Sequence, residues 1–345
     1  MEDEVVRKRR WLTPERFLDL LGGANLIPGP SSSELAVYIG YDRAGLLGLL
    51  AAGIGFVFPA ALITALLAWA YLRFGHLPQV SGILYGVKPV TIAIIAQALW
   101  NLGPKAAKTR AHVGICIAAL AATLMHVDAL VVLLAAGALS MLVDGALRGP
   151  RGVSAIALPG LALGASGLAV PVTLFGILLV FLKMGSVVFG SGYVLLAFLR
   201  ADIVERLHWL TEAQLLDAVV VGQITPGPVF TTATFIGYVL AGVPGAVLAT
   251  IGIFLPGFVL VAVSRPLLAR VRQSRSAGAF LDGVNVAALS LMAGVTFQLG
   301  QAAIIDVSTL VLALVSCALV FRWRVNSAWL LIAAATVGCL MHRGS

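Results

Sequence analysis

Apolar residues run along this chain in long blocks separated by short polar loops. The blocks cover 44 to 72, 82 to 103, 111 to 125, 129 to 147, 175 to 199, 243 to 263, 305 to 321 and 327 to 341, and two lysines, Lys88 and Lys183, stand inside them. A helix of about 18 or more such residues can cross a hydrocarbon core ~30 Å thick. The pattern therefore predicts an all-α polytopic membrane protein with eight full spans. Two further segments, 14 to 41 and 211 to 238, break this pattern. Each reads as short helix, break, short helix, with arms too short to span.

The breaks are Pro28-Gly29-Pro30 and Pro226-Gly227-Pro228. Proline removes a backbone donor and disrupts the helical ladder, and glycine between two prolines admits backbone conformations that other residues avoid. Non-helical backbone at membrane depth survives only where protein or a water-filled cavity covers it.

The two breaks belong to a repeat. Trp11-Leu12-Thr13 matches Trp209-Leu210-Thr211, and Asp19 matches Asp217, at the same offset as the Pro-Gly-Pro motifs. After a one-residue gap, Ile39-Gly40-Tyr41 matches Ile236-Gly237-Tyr238. Gly48, Gly55, Pro59 and Gly86-Val87 then match Gly245, Gly252, Pro256 and Gly283-Val284. The expected organisation is a first repeat over 1–150, a Gly/Pro/Ala-rich linker over 151–174 and a second repeat over 175–345. The opening helix of the second repeat, from Phe175, projects to positions before residue 1. The first repeat is thus expected to lack its first helix, and an upstream coding sequence for one is the corresponding expectation.

Charge fixes the expected orientation, because Lys and Arg collect on the cytoplasmic side. The loop of Lys105, Lys108 and Arg110 is basic, whereas its counterpart near Gln301 to Asp306 has neither residue type. The loop at Arg73 is weakly basic, whereas its counterpart carries Arg265, Arg270, Arg272 and Arg275. The bias is exchanged between copies, which predicts two inverted repeats, each with a Pro-Gly-Pro-broken re-entrant helix pair. Broken segments at matching places in inverted halves point to a transport site.

Composition narrows the classes. The chain is 60% hydrophobic and 11% charged, with mean hydropathy +1.02, whereas soluble domains carry roughly 25% charged residues. A net charge of +8 here reflects topology, and nucleic acid is not an expected partner. Cys116, Cys317 and Cys339 are scattered, the histidines lack metal-ligand spacing, and no catalytic residue, metal or cofactor is expected. No GxxxxGK[ST] loop is present, so ATP-driven pumping in this chain is not expected.

The candidate binding residues surround the breaks. Ser31, Ser32 and Ser33 follow Pro30, and Thr231 and Thr232 follow Pro228. They place hydroxyls where free backbone N–H groups and the helix dipole already favour an anion. Asn25 and Gln223 are amide donors just before the breaks. The plainer reading is that these hydroxyls cap the second arm. Lys88, whose repeat counterpart is Asn285, and Lys183 are costly inside apolar helices. Either could supply positive charge to a dianion, or Lys88 could snorkel to the interface. Glu34 has no acidic counterpart. Beside an anion it suggests proton coupling, and otherwise it satisfies the helix dipole. Asp19 and Asp217 read as structural groups near the membrane surface.

At Ile27 through Tyr41, Phe181-Leu182-Lys183, Phe189-Gly190-Ser191-Gly192-Tyr193, Thr225 through Tyr238 and Gly283-Val284-Asn285, the chain resembles the chromate ion transporter family in its long, two-domain form. The resemblance implies a multi-pass protein of the bacterial or archaeal cytoplasmic membrane. It also implies export of chromate at the expense of the proton gradient, as an antiporter conferring chromate resistance. Sulfate, a tetrahedral dianion of similar size, is the expected competitor, and a sulfate or other oxyanion permease is the alternative function. Besides the substrate and the lipid bilayer, a second copy of the chain is a candidate partner. A membrane enzyme would instead cluster His, Asp or Glu within its spans, and a scaffold would not need two broken segments.

Overall fold

The computed structural model describes residues 1–24, 27–75, 77–106, 108–125, 127–148, 171–188, 192–273, 275–323 and 325–342. Asn25, the Phe189-Gly190-Ser191 stretch and all but the end of the expected linker lie outside them. Among the described residues the chain is helical throughout. The helices are α1 (Pro14–Ala24), α2 (Ser31–Phe74), α3 (Pro78–Ala106), α4 (Arg110–Leu124), α5 (Ala129–Arg148) and α6 (Leu174–Val187). They continue as α7 (Leu195–Leu199), α8 (Glu212–Ile224), α9 (Thr232–Gln273), α10 (Arg275–Ala303), α11 (Val307–Trp323) and α12 (Ser327–His342).

Five segments, Ser31–Phe74, Pro78–Pro104, Ala129–Ala146, Val229–Val263 and Ser276–Ala303, are long and apolar enough to cross a membrane. The chain is a multi-pass membrane protein. Stretches 111 to 125, 305 to 321 and 327 to 341, expected as full spans, form apolar helices shorter than 18 residues. The expected single span over 175 to 199 is corrected. α6 stops at Val187, Val188 is extended with ψ 107, and helix resumes at Gly192. Gly192 stands where helix resumes, and a glycine costs a helix ~1 kcal/mol relative to alanine.

Matching sequence positions adopt matching backbone. α2 is two arms joined at Ala44 (φ −143, ψ 25) and Gly45 (φ 59, ψ −143). α9 has the same joint at Ala241 (φ −148, ψ 26) and Gly242 (φ 62, ψ −149). Only glycine readily takes that second conformation. The arms fold back on each other: a Cβ on Gly40 would lie 2.2 Å from the Gly48 carbonyl oxygen, and one on Gly237 2.3 Å from that of Gly245. Two anchor pairs of the repeat, Gly40/Gly237 and Gly48/Gly245, are thus close-contact glycines at a hairpin. The correspondence reaches back further, to π-helical turns at Asp3–Lys8 and Arg200–Arg206. These close with Trp11 N–H donating to Val5 O at 2.7 Å and Trp209 N–H to Ile203 O at 2.9 Å. Arg10 and His208, at equivalent positions, both have positive φ.

Packing follows the same exchange. α3 crosses α12 where a Cβ on Gly86 would meet Ala334 O at 2.1 Å, and α10 crosses α5 where one on Gly283 would meet Ala136 O at 2.4 Å. α3 and α10 run antiparallel. Tyr85, near the start of α3, donates to Asp306 beyond the end of α10 at 2.6 Å, while Lys108, beyond the end of α3, pairs with Asp282 near the start of α10 at 2.8 Å. Asp282 is the repeat counterpart of Tyr85. α2 and α9 also cross in opposite senses, with Gly53 against Phe258 and Tyr71 against Phe235.

One contact has no counterpart among the described residues. α6 lies along α9, with Gly185 against the Ile253 carbonyl and Gly252 against the α6 backbone at Leu178 and Leu182. Gly55, the equivalent of Gly252, has nothing within 4 Å.

Candidate functional site

The two breaks are built alike. Each ends in an extended proline, Pro30 (φ −74, ψ 111) and Pro228 (φ −69, ψ 140), from which a helix begins. The third residue of each new helix returns its hydroxyl to that proline: Ser33 Oγ donates to Pro30 O at 2.9 Å and Thr231 Oγ1 to Pro228 O at 3.0 Å. These two hydroxyls, expected at the substrate, spend their protons holding the break. Ser31 is half-buried and Ser32 exposed.

Each break also reaches across to the long helix of the other half. Gly29 has φ +131, and a Cβ there would fall 1.9 Å from Glu34 Oε1. The same oxygen lies 2.9 Å from where a Cβ would stand on Gly257 of α9. In the second half, a Cβ on Gly227 would meet Ala60 Cβ of α2 at 2.4 Å. Thr64 of α2 donates to Thr225, next to Pro226, at 3.3 Å.

The residue after Ser33 and Thr231 completes the match. Glu34 and its counterpart Thr232 are both buried, at 4% and 0% exposure. Glu34 Oε2 and Thr232 Oγ1 each lack a hydrogen-bond partner among the described residues. Buried polar atoms are nearly always satisfied, so an unpaired oxygen at each of these equivalent places is a shared feature of the two breaks.

Between the breaks sits the end of α6. Gly29 N–H donates to Val188 O at 2.7 Å, and Gly192 packs against Val229. Tyr193 donates to Gln223 Oε1 at 3.3 Å, while the Gln223 Nε2 donor is buried without a partner. Gln223 thus lies at the second break as expected, with Tyr193 as an unexpected neighbour.

The two lysines of the apolar helices are paired. Lys183 reaches both oxygens of Asp202, at 2.9 and 3.0 Å, and Arg206 shares that carboxylate at 2.9 Å. Lys88 pairs with Asp217 at 2.8 Å, and Tyr71 donates to the other oxygen at 2.9 Å. A buried carboxylate offsets each positive charge. Asn285, the counterpart of Lys88, is half-buried on α10. Asp202 and Arg206 border a cavity of about 560 Å³ with a mixed polar and apolar lining that Gln298 and His208 also form. The cleft between α2 and α9, about 510 Å³, is lined mainly by apolar side chains.

Sequence reasoning missed Asp202, Tyr71 and Gly257. Asp202 carries a readable signal, an acid three residues past the apolar run that holds Lys183. Tyr71 and Gly257 carry none, because their partners come from the other half of the chain.

The family model described as "Chromate transporter" matches residues 1–141 and 175–339. A "Chromate transport protein" of Cupriavidus metallidurans is 34% identical over 353 residues, covering 99% of this chain and 87% of that protein. A "Probable chromate transport protein" of Synechococcus elongatus is 34% identical over 333 residues, covering 94% and 84%. A "Chromate transport protein" of Pseudomonas aeruginosa is 30% identical over 357 residues, covering 98% and 86%. No solved structure matches the chain. With a family model spanning both repeats, and relatives at these identities over nearly its whole length, the chain belongs to the chromate transporter family.

Proposed function

We propose that this chain is a secondary transporter that exports chromate across the cytoplasmic membrane, driven by the proton gradient, and so confers chromate resistance. The substrate comes from the printed names of the relatives. The observation that carries the site is the crossed pair of breaks, each seated against the long helix of the other half with one unsatisfied buried oxygen. The Gln223 amide and the Thr232 hydroxyl are the donors that would meet a tetrahedral oxyanion, at helix starts whose dipole favours an anion. The antiparallel α3/α10 and α2/α9 pairs support reading the repeats as inverted, with each break as the turn of a re-entrant helix pair. Equivalent helices running in opposite senses imply a pseudo-two-fold axis perpendicular to them, hence in the membrane plane. In this reading Asn25 lies before the first break, Lys88 and Lys183 tune the local field through their carboxylates, and Glu34 carries the coupled proton.

Everted vesicles containing the chain test this reading, with radiolabelled chromate, sulfate as competitor and a protonophore as control. The expected result is chromate accumulation that the protonophore reduces. Sulfate movement with no chromate movement would reject the substrate, and accumulation indifferent to the protonophore would reject proton coupling.

A further inference from the structure

α6 covers neighbouring groups at three places, and the repeat-equivalent group stands uncovered at each. The first place is on the long helices. Gly252 and Pro256 of α9 are buried, Gly252 under the α6 backbone, whereas their counterparts Gly55 and Pro59 on α2 are exposed and nothing lies within 4 Å of a Cβ on Gly55. Small residues on apolar helices let another helix approach closely, and α9 shows one seated on this pattern. The second place is at the π-helical turns. Asp202 and Arg206 correspond to Glu4 and Lys8, and each acid pairs with the cation four residues on, at 2.9 and 3.3 Å. Lys183 of α6 completes the Asp202 cluster, whose carboxylate side chain is 5% exposed. The Glu4 side chain is 47% exposed, and its second cation is Arg9 of the same turn. The third place is at the breaks. Val188 O, at the end of α6, accepts the Gly29 N–H at 2.7 Å, and Gly29 is buried. Its counterpart Gly227 is exposed, and the Gly227 N–H meets no backbone carbonyl among the described residues. Gly227 packs against Ala60, next to Pro59, so the uncovered break adjoins the uncovered helix.

We infer that the exposed face of α2 at Gly55 and Pro59 is a docking surface for a partner helix built like α6, apolar, with a lysine two residues before a glycine. Seated as α6 is seated on α9, such a helix lays its backbone across Gly55, brings its lysine to Glu4 and offers its last carbonyl to the Gly227 N–H. A lipid acyl chain would cover the apolar face but bring no cation to Glu4. A second copy of the chain has its own α6 already packed on α9. The docking surface follows from the repeat correspondence. Its bearing on transport rests on the breaks being the oxyanion site, as proposed above, in which case the second break is complete only with this helix in place.

The test mixes the purified full chain in detergent with a dye-labelled synthetic peptide copying residues 172–189 and reads binding by fluorescence anisotropy. The expected result is saturable binding of one peptide per chain, which Gly55→Leu weakens roughly tenfold or more by overfilling the contact. Gly114→Leu, at another glycine with open space around it, should leave binding unchanged. Lys183→Met in the peptide should weaken binding about two- to fivefold on the wild-type chain, as for an exposed ion pair, and have no effect on the Glu4→Gln chain. Hydrogen exchange over residues 224–230 should slow in the complex. No binding to the wild-type chain would overturn the inference. So would binding that Gly55→Leu does not weaken, which is what displacement of α6 from α9 or adsorption to the detergent would give. A dimer of the chain that Gly55→Leu dissociates would assign the face to a second copy instead, and unchanged exchange over residues 224–230 would overturn the helix's place at the second break. Each readout is independent of chromate movement, so failure here and failure of the proposed function are distinguishable.

Discussion

Asp202 holds two cations, Lys183 and Arg206, with a side chain only 5% exposed. The two residues of the Lys183–Asp202 pair are therefore not equivalent as sites of mutation. Removing the acid leaves two half-buried positive charges without that partner, and the loss should approach the roughly 3 kcal/mol of a broken buried pair. Removing the lysine leaves Asp202 still bonded to Arg206, so the loss should be about 1 kcal/mol. Thermal unfolding in detergent should place Asp202→Asn clearly below Lys183→Met; equal losses would show that Arg206 does not hold the carboxylate. Lys183 stood out in the sequence because a lone lysine in an apolar run is expensive. Its partner lies nineteen residues on, beyond the turn at Val188, where apolar periodicity gives no guide to what folds back. Lys88 and Asp217 were each noticed, but their pairing joins α3 to α8 and depends on tertiary packing. Ser33 and Thr231 were legible as hydroxyls at a helix start. Which group received their protons was not, because a cap and an anion donor look identical in sequence.

Among the helices, glycine positions report which faces are occupied. Gly252 is covered by the α6 backbone, whereas nothing lies within 4 Å of a Cβ placed on Gly55. Gly252→Leu should disrupt the α6/α9 crossing at a cost of about 1–3 kcal/mol or more. Gly55→Leu should leave accumulation and melting temperature near wild type. A loss at Gly55 as large as that at Gly252 would mean that the α2 face is also packed. Gly40, Gly48, Gly86 and their counterparts, all visible as repeat anchors, are positions where a Cβ would clash, whereas the joints at Gly45 and Gly242 passed unnoticed at the edges of apolar runs. The helix ends add a pH-dependent term. Tyr85 hydroxyl, followed by the Thr309 backbone N–H, holds the Asp306 carboxyl below the ordinary aspartate range. A depressed acid stabilises the fold above its unfolded pKa, and that contribution is lost as pH falls through the folded value. Tyr85→Phe should therefore lower the melting temperature slightly at neutral pH and not in strong acid. A difference that persists undiminished in acid would exclude the Asp306 contact as its cause.

Across the whole molecule, the exchange of partners between halves gives a mechanism its outline. Each break rests on the long helix of the other half, so a rocking of one half against the other would move both breaks relative to both helices together. The α3/α10 pair is pinned at opposite ends by Tyr85–Asp306 and Lys108–Asp282, contacts that occupy repeat-equivalent places. If the helices cross the membrane, these two contacts stand on opposite faces, and a state opening to one face should release one contact while keeping the other. The prediction is reached through accessibility. With Cys116, Cys317 and Cys339 replaced, single cysteines at Lys108 and at its counterpart Ile305 should label with a membrane-impermeant reagent from opposite sides, Lys108 from the cytoplasmic side. Labelling of both from one side would refute the inverted arrangement and, with it, the placing of the two breaks on one pseudo-symmetric site. Added chromate should then change the labelling rate at the two positions in opposite directions, because closing one end of an antiparallel pair that rocks about its centre opens the other.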